Sequence, residues 1–275
     1  MNYLTKKTLL TLLTTSAGAL LLSACSSTPK VDYGTLNAEQ IYQRGANHIQ
    51  EEDYDLAVKE FQQLDAHYPF GPYAQQGDLD TIYAYYQDDK PDLALLQANR
   101  FINLYPRNPG LSYAYYMKGV INFDQGASFL QRYFYYDISE HDTTTAKQAY
   151  MDFNTFIHKF PNSPYVTDAK RRMIYLRNAL AQFQLNVALY NLQKKAYIGA
   201  ITRAQDIIKE YPRTPAVEGA LKVMIQAYQA LDLTTLANDT IATYQVTYHK
   251  APFAKKKIPI HRNITSSLFY LCYTA

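Results

Sequence analysis

The residues of this 275-residue chain that could carry chemistry are few, and most are badly placed for it. The six histidines, His48, His67, His141, His158, His249 and His261, are scattered, and none falls into H-E-x-x-H or another metal-ligand spacing. The chain has no glycine-rich phosphate loop and no G-x-S-x-G nucleophile turn. Glu51-Glu52-Asp53 and Asp88-Asp89 pair carboxylates at inter-helix turns, where acids ordinarily act as solvated caps. Cys25 is different. It closes Leu22-Ser23-Ala24-Cys25, after a positive start at Lys6-Lys7 and an apolar stretch from Leu9 to Leu22. That stretch falls short of the roughly 20 residues a spanning helix needs, so residues 1–24 read as a secretory signal. The ending looks like a bacterial lipobox, with the Cys25 thiol acylated and left as the new N-terminus. The competing reading is an ordinary signal peptide that happens to precede a cysteine.

Lipidation would set the mechanics of the N-terminus. Each buried CH₂ contributes about 0.8 kcal/mol, and one chain alone holds only marginally. Bacterial lipoprotein cysteines carry more than one chain, which makes anchoring effectively permanent. Ser26 rather than Asp follows the cysteine, a pattern that in such lipoproteins favours the outer membrane. Residues 25–37 then form a tether, with the folded part in the periplasm. Loss of Lys6 and Lys7 lowers the net charge from +3 to +1, which gives no electrostatic case for nucleic acid. Only Cys272 remains beside Cys25, so no disulfide framework is expected, and the lipid on Cys25 is the only attached group.

The rest of the chain is organised by proline. Four times a helix-like stretch closes on aromatic-Pro-x-x-Pro: Tyr68 to Pro72, Tyr105 to Pro109, Phe160 to Pro164 and Tyr211 to Pro215. The first proline forces the aromatic before it out of the αR region and stops a helix. The second suits the first turn of the next helix, with Gly71, Asn108, Ser163 or Thr214 as the cap before it. Upstream the spacing recurs as Ala57-x3-Phe61, Ala94-x3-Ala98, Ala149-x3-Phe153 and Ala200-x3-Ala204, each with seven residues between it and the first proline of its stop. This is the second-helix signature of the tetratricopeptide repeat. A fifth copy, Ala237-x3-Ile241, has His249 where the others have proline, which predicts a less sharply defined end. The fold class is therefore all-α, an α-solenoid of five tetratricopeptide-like helix-turn-helix repeats over residues 38–250. Residues 126–145 read as an insertion between the helices of repeat three, and 165–195 as a long first helix of repeat four, roughly 45 Å if continuous. Residues 251–275, basic and then apolar, read as a frayed, solvated tail, with contact to acidic lipid or an acidic partner as the alternative.

Tyrosines cluster in the first helices, at Tyr83, Tyr85 and Tyr86 and again at Tyr113, Tyr115 and Tyr116. Consecutive helical residues cannot all face a core, so some of these rings should reach the surface. Rigid amphipathic rings on a concave solenoid face suit an extended peptide, and Tyr85 and Tyr115 are the candidates for such a groove in repeats one to three.

With the lipobox and the repeats together, the chain resembles the outer-membrane protein assembly factor BamD (ComL-like) family. The match is carried by Tyr54 to Phe61, Tyr68 to Pro72, Ser128 to Gln131, Tyr165 to Arg172 and Ile207 to Pro212. The resemblance implies a non-catalytic scaffold. Its C-terminal repeats would hold the barrel-forming subunit, and its N-terminal repeats would receive C-terminal segments of unfolded outer-membrane proteins and bind an accessory lipoprotein. Arg203, in Ile201-Thr202-Arg203-Ala204, matches a family arginine that faces the barrel subunit; the same residue also fits a plain exposed helix charge. The alternative function is a tetratricopeptide pilotin or cell-envelope coordinating lipoprotein. An α-solenoid hydrolase would need a separate catalytic domain, for which no length remains.

Overall fold

A computed structural model describes residues 31–133 and 143–249. The leader, Cys25, the expected insertion's residues 134–142, and 251–275 lie outside the described residues. Among the described residues a short 3₁₀ turn, Tyr33–Thr35, precedes ten helices that pair in succession. Repeat one is α1 (Ala38–Gln50) and α2 (Tyr54–His67); repeat two is α3 (Pro72–Gln87) and α4 (Pro91–Leu104). Repeat three is α5 (Leu111–Tyr133) and α6 (Thr144–Lys159), and repeat four α7 (Val166–Gln193) and α8 (Tyr197–Glu210). Repeat five is α9 (Ala216–Ala230) and α10 (Thr234–Tyr248). Each second helix packs on its own first helix and on the next one, and the first helices also pack on each other in sequence.

The proline stops work as the steric argument requires. Tyr68, Tyr105, Phe160 and Tyr211 share one conformation, φ −136 to −122° and ψ 50 to 66°, outside the helical region. Each still donates its N–H to the carbonyl four residues back, so the last turn closes. Where His249 replaces proline, Tyr248 stays helical and His249 ends the helix one residue later in the left-handed region, φ 49°.

The restarts differ from the expected pattern. Only Pro72 occupies a first helical turn, behind Gly71 at φ 114°, a conformation open to glycine. In the other copies Asn108, Ser163 and Thr214 each bond back to the preceding aromatic's carbonyl. That bonded turn delays the helix to Leu111, Val166 and Ala216. Inside the repeats, three-residue turns carry Glu52, Asp89, Lys195 or Asp232 at φ 53–61°, and Asp53 caps α2 through the Leu56 N–H. The acidic pairs are turn residues.

Two further boundaries are corrected. Residues 126–133 of the expected insertion are helix, a continuation of α5, and Thr144 and Thr145 already belong to α6. Of the expected tether, Asp32 to Asn37 are folded onto repeat one. Tyr68 Oη donates to the Leu36 carbonyl at 2.7 Å, and Tyr33 and Leu36 pack on the Ile41–Phe61 core.

The repeat alanines Ala57, Ala94, Ala149, Ala200 and Ala237 are all buried. Gly45 of α1 lies under Phe61, and a methyl there would collide with the ring. Helix α7, about 42 Å long, joins two cores: Ala169, Leu176 and Leu180 belong to the upstream one, Ala181, Leu185 and Ala188 to the downstream one.

Candidate partner-binding surface

First helices contacting first helices make one continuous face, and polar rungs cross it from repeat to repeat. Tyr42 Oη on α1 donates to Asp80 Oδ2 on α3 at 3.0 Å. Tyr86 on α3 donates to Asp124 Oδ2 on α5, and Tyr116 on α5 to Asp168 Oδ2 on α7 at 2.8 Å. Arg172 completes the third rung. Its Nε donates to Asp168 at 2.7 Å, its Nη1 lies 3.6 Å from Asp124, and its guanidinium sits 4.7 Å from the Phe123 ring centroid. Rings fill the gaps: Tyr116 stacks on Tyr165 at 4.7 Å, and Tyr42 lies between Tyr73 and Phe61.

The electrostatics hold the proton on the Tyr42 and Tyr116 phenols. Burial first, then the neighbouring carboxylate, pushes Tyr42 and Tyr116 up to about 12. Burial also lifts Asp80 above the ordinary carboxylate range, against the bonds it accepts from Gln76 and Tyr42. Asp78 is raised for the same reason, although Arg100, Tyr105 and Gln97 all favour its charge. Arg100 also reaches Asp65 at 2.7 Å and Lys90 reaches Asp55 at 2.7 Å, so two ion pairs join α2 to repeat two. Such pairs near the surface contribute little each and chiefly fix geometry. Among the described residues no group of three His, Cys, Asp or Glu is placed to hold a metal. What the arrangement presents is contact area and hydrogen bonds.

Arg203 is exposed on α8, with Nη1 3.4 Å from Gln184 Oε1. Tyr115 is half-buried on the α6 side of α5, 5.5 Å from Phe160 with Lys159 Nζ over its ring. Tyr85 is half-buried against the same core cluster. Both rings therefore pack as well as present a surface. The rung residues Tyr42, Tyr86 and Tyr116 and their acids were missed. A signal existed, since Tyr42–Asp80 and Tyr86–Asp124 have the same separation of 38 residues.

Over residues 35–243 the chain matches the YfiO family profile, described as outer membrane lipoprotein. The chain belongs to the YfiO family. The match runs from the 3₁₀ turn into α10 and takes in all five repeats; Cys25 precedes it. Three relatives are outer membrane protein assembly factors BamD. That of Neisseria meningitidis serogroup B is 38% identical over 250 residues, covering 89% of this chain and 93% of the relative. That of Vibrio cholerae serotype O1 is 37% identical, covering 78% and 88%, and that of Xylella fastidiosa 34% identical, covering 86% and 82%. Among the described residues of this YfiO-family chain no helix is long and apolar enough to cross a membrane.

Proposed function

We propose that this YfiO-family chain is a non-catalytic scaffold of the complex that assembles outer-membrane β-barrel proteins. In this reading it is anchored by lipid on Cys25, faces the periplasm and uses no cofactor. The observation that carries it is near full-length similarity to BamD assembly factors. A solenoid with a continuous, aromatic-rich first-helix face suits a protein whose work is to be gripped by others.

Within that reading the C-terminal repeats bind the barrel-forming subunit, with Arg203 at the rim. An exposed rim charge acts mainly on association rate and salt dependence. The N-terminal repeats take C-terminal segments of unfolded outer-membrane proteins, with Tyr85 and Tyr115 in the groove, and bind an accessory lipoprotein. The test is affinity purification of the tagged chain from membranes, with the co-purified subunits identified. The barrel insertase is expected. Arg203→Glu should slow association with its periplasmic domains and reduce the salt dependence. Recovery of a secretin instead, or unchanged association by Arg203→Glu, would count against the scaffold reading or the Arg203 role respectively.

A further inference from the structure

The four aromatic-Pro-x-x-Pro turns expose the same position to solvent, and three fill it with a polar side chain: Arg107, Asn162 and Arg213. The first turn carries Phe70, which is 90% exposed. An exposed apolar residue needs no explanation by itself, but this one is presented. Pro69 and Pro72 flank it, and Gly71 at φ 114° sets the turn. A Cβ on Gly71 would meet nothing within 4 Å, so the glycine is there for its backbone angle and not for space. Between Asp65 and Asp78 the only ionisable side chains are His67, Tyr68 and Tyr73, none of them acid or permanently charged base.

The position of this turn relative to the anchor gives it a partner. The chain enters the fold beside it: the Leu36 carbonyl takes the Tyr68 hydroxyl, and the Tyr33 ring lies 6.0 Å from that of His67. Asp32 is already folded against the 3₁₀ turn, its Oδ1 accepting from Gly34 N. It lies seven steps along the chain from Cys25, a reach of at most about 25 Å.

We propose that Phe70, at the tip of the first proline turn, inserts into the phospholipid surface beside the Cys25 anchor, a second membrane contact that fixes the tilt of repeat one. The proposal rests on Cys25 being acylated. Tyr33 and Tyr73, half-buried on the same end, are the ring type that favours the water–lipid interface. Arg107, Asn162 and Arg213 mark the same position in later repeats as facing water, as a rod held to lipid at one end requires.

Because the chain contains no tryptophan, Phe70→Trp creates a single-tryptophan reporter. The full mature chain, expressed so that its N-terminal residue can be acylated, is reconstituted in phosphatidylethanolamine–phosphatidylglycerol vesicles with brominated acyl chains. Leu96→Trp, at an exposed site on α4, is the water-facing control. Blue-shifted emission from Phe70→Trp, quenched several-fold more than Leu96→Trp, is the expected result. Equal quenching with Cys25 shown acylated by mass spectrometry overturns the Phe70 contact and leaves the anchor intact. An unmodified Cys25 in membrane-extracted protein overturns both.

Discussion

Gly45 and Phe61 form the tightest test of how the repeats are packed. Gly45 sits five residues before the end of α1, and Phe61 seven after the start of α2. In repeat two the same positions hold Ile82 and Ala98, both fully buried in one core. The large member has changed helices while the pair keeps a large and a small partner. Gly45→Ala should therefore be destabilising. A methyl there meets the ring of Phe61, which is 4% exposed and backed by Tyr42 at 6.0 Å, so the ring has little room to retreat. Overpacking costs about 1–3 kcal/mol, and the gain of alanine over glycine in a helix returns about 1 kcal/mol. With a methyl in collision with Phe61 Cε1 the upper part of the overpacking range applies, about 2–3 kcal/mol, and the net loss is about 1–2 kcal/mol. Phe61→Ala alone should cost about 3–5 kcal/mol through the cavity it leaves. Gly45→Ile with Phe61→Ala rebuilds the repeat-two pair, and the double variant should be more stable than the sum of its singles by at least about 2 kcal/mol. Urea denaturation followed by far-UV circular dichroism measures this, read from midpoints at constant slope. Additive singles, or a Gly45→Ala variant as stable as the parent, would refute the size exchange.

Two further outcomes follow from the first-helix face. Asp80 is raised above its ordinary value by burial, so the folded chain binds its proton more tightly than the unfolded chain does. Stability then falls as pH rises from the ordinary carboxylate value through the raised one, and the full cost of the buried charge stands above that window. Asp80→Asn should flatten that slope and stabilise the neutral chain by up to about 1 kcal/mol, because amide and phenol can keep the bonds to Gln76 and Tyr42; thermal melts of parent and variant across the acid range, which cancel the parallel contribution of Asp78, would show an unchanged slope if Asp80 does not titrate this way. Replacing Tyr85 and Tyr115 together by Ala should weaken binding of a C-terminal peptide from an unfolded barrel protein while the circular dichroism spectrum stays helical at 25 °C, and unchanged peptide affinity by titration would remove these two rings from the groove.

The parts of this fold that were readable are those set by local sterics. An aromatic before proline has one way to leave a helix, and Tyr68, Tyr105, Phe160 and Tyr211 all take it. An alanine at fixed distance upstream marks the close helix approach, and Ala57 through Ala237 are buried as that reading requires. The restarts were less legible. Pro109, Pro164 and Pro215 could each have opened a helix, and a bonded turn to the previous aromatic decided otherwise. The face taken by each tyrosine was least legible. Tyr115 and Tyr116 are neighbours, yet one turns to Phe160 of the paired helix and the other to Asp168 of the next repeat. That choice depends on the angle between repeats, which periodicity along one helix does not encode.

The ends of the array are closed by opposite means. At the start, the residues entering the fold cover the first core with apolar groups, Tyr33 and Leu36 against Ile41 and Phe61. At the end, α10 is polar at two positions where most earlier second helices are apolar. The residue after the repeat alanine is Val58, Leu95, Tyr150 and Ile201 in the first four second helices, all buried or half-buried, and exposed Asn238 in the fifth. Seven places further on, half-buried Asp65, Ile102, Ile157 and Ile208 give way to exposed Gln245. A further first helix would have to dehydrate two amides with no partner, at a cost of about 1–3 kcal/mol each. Among the described residues the fifth repeat is the last, and polarity at these two positions is the kind by which terminal repeats of a solenoid stay soluble. The front, by contrast, is covered by residues Tyr33 and Leu36 of the entering segment, so a pull on the chain ahead of them acts directly on the packing of repeat one.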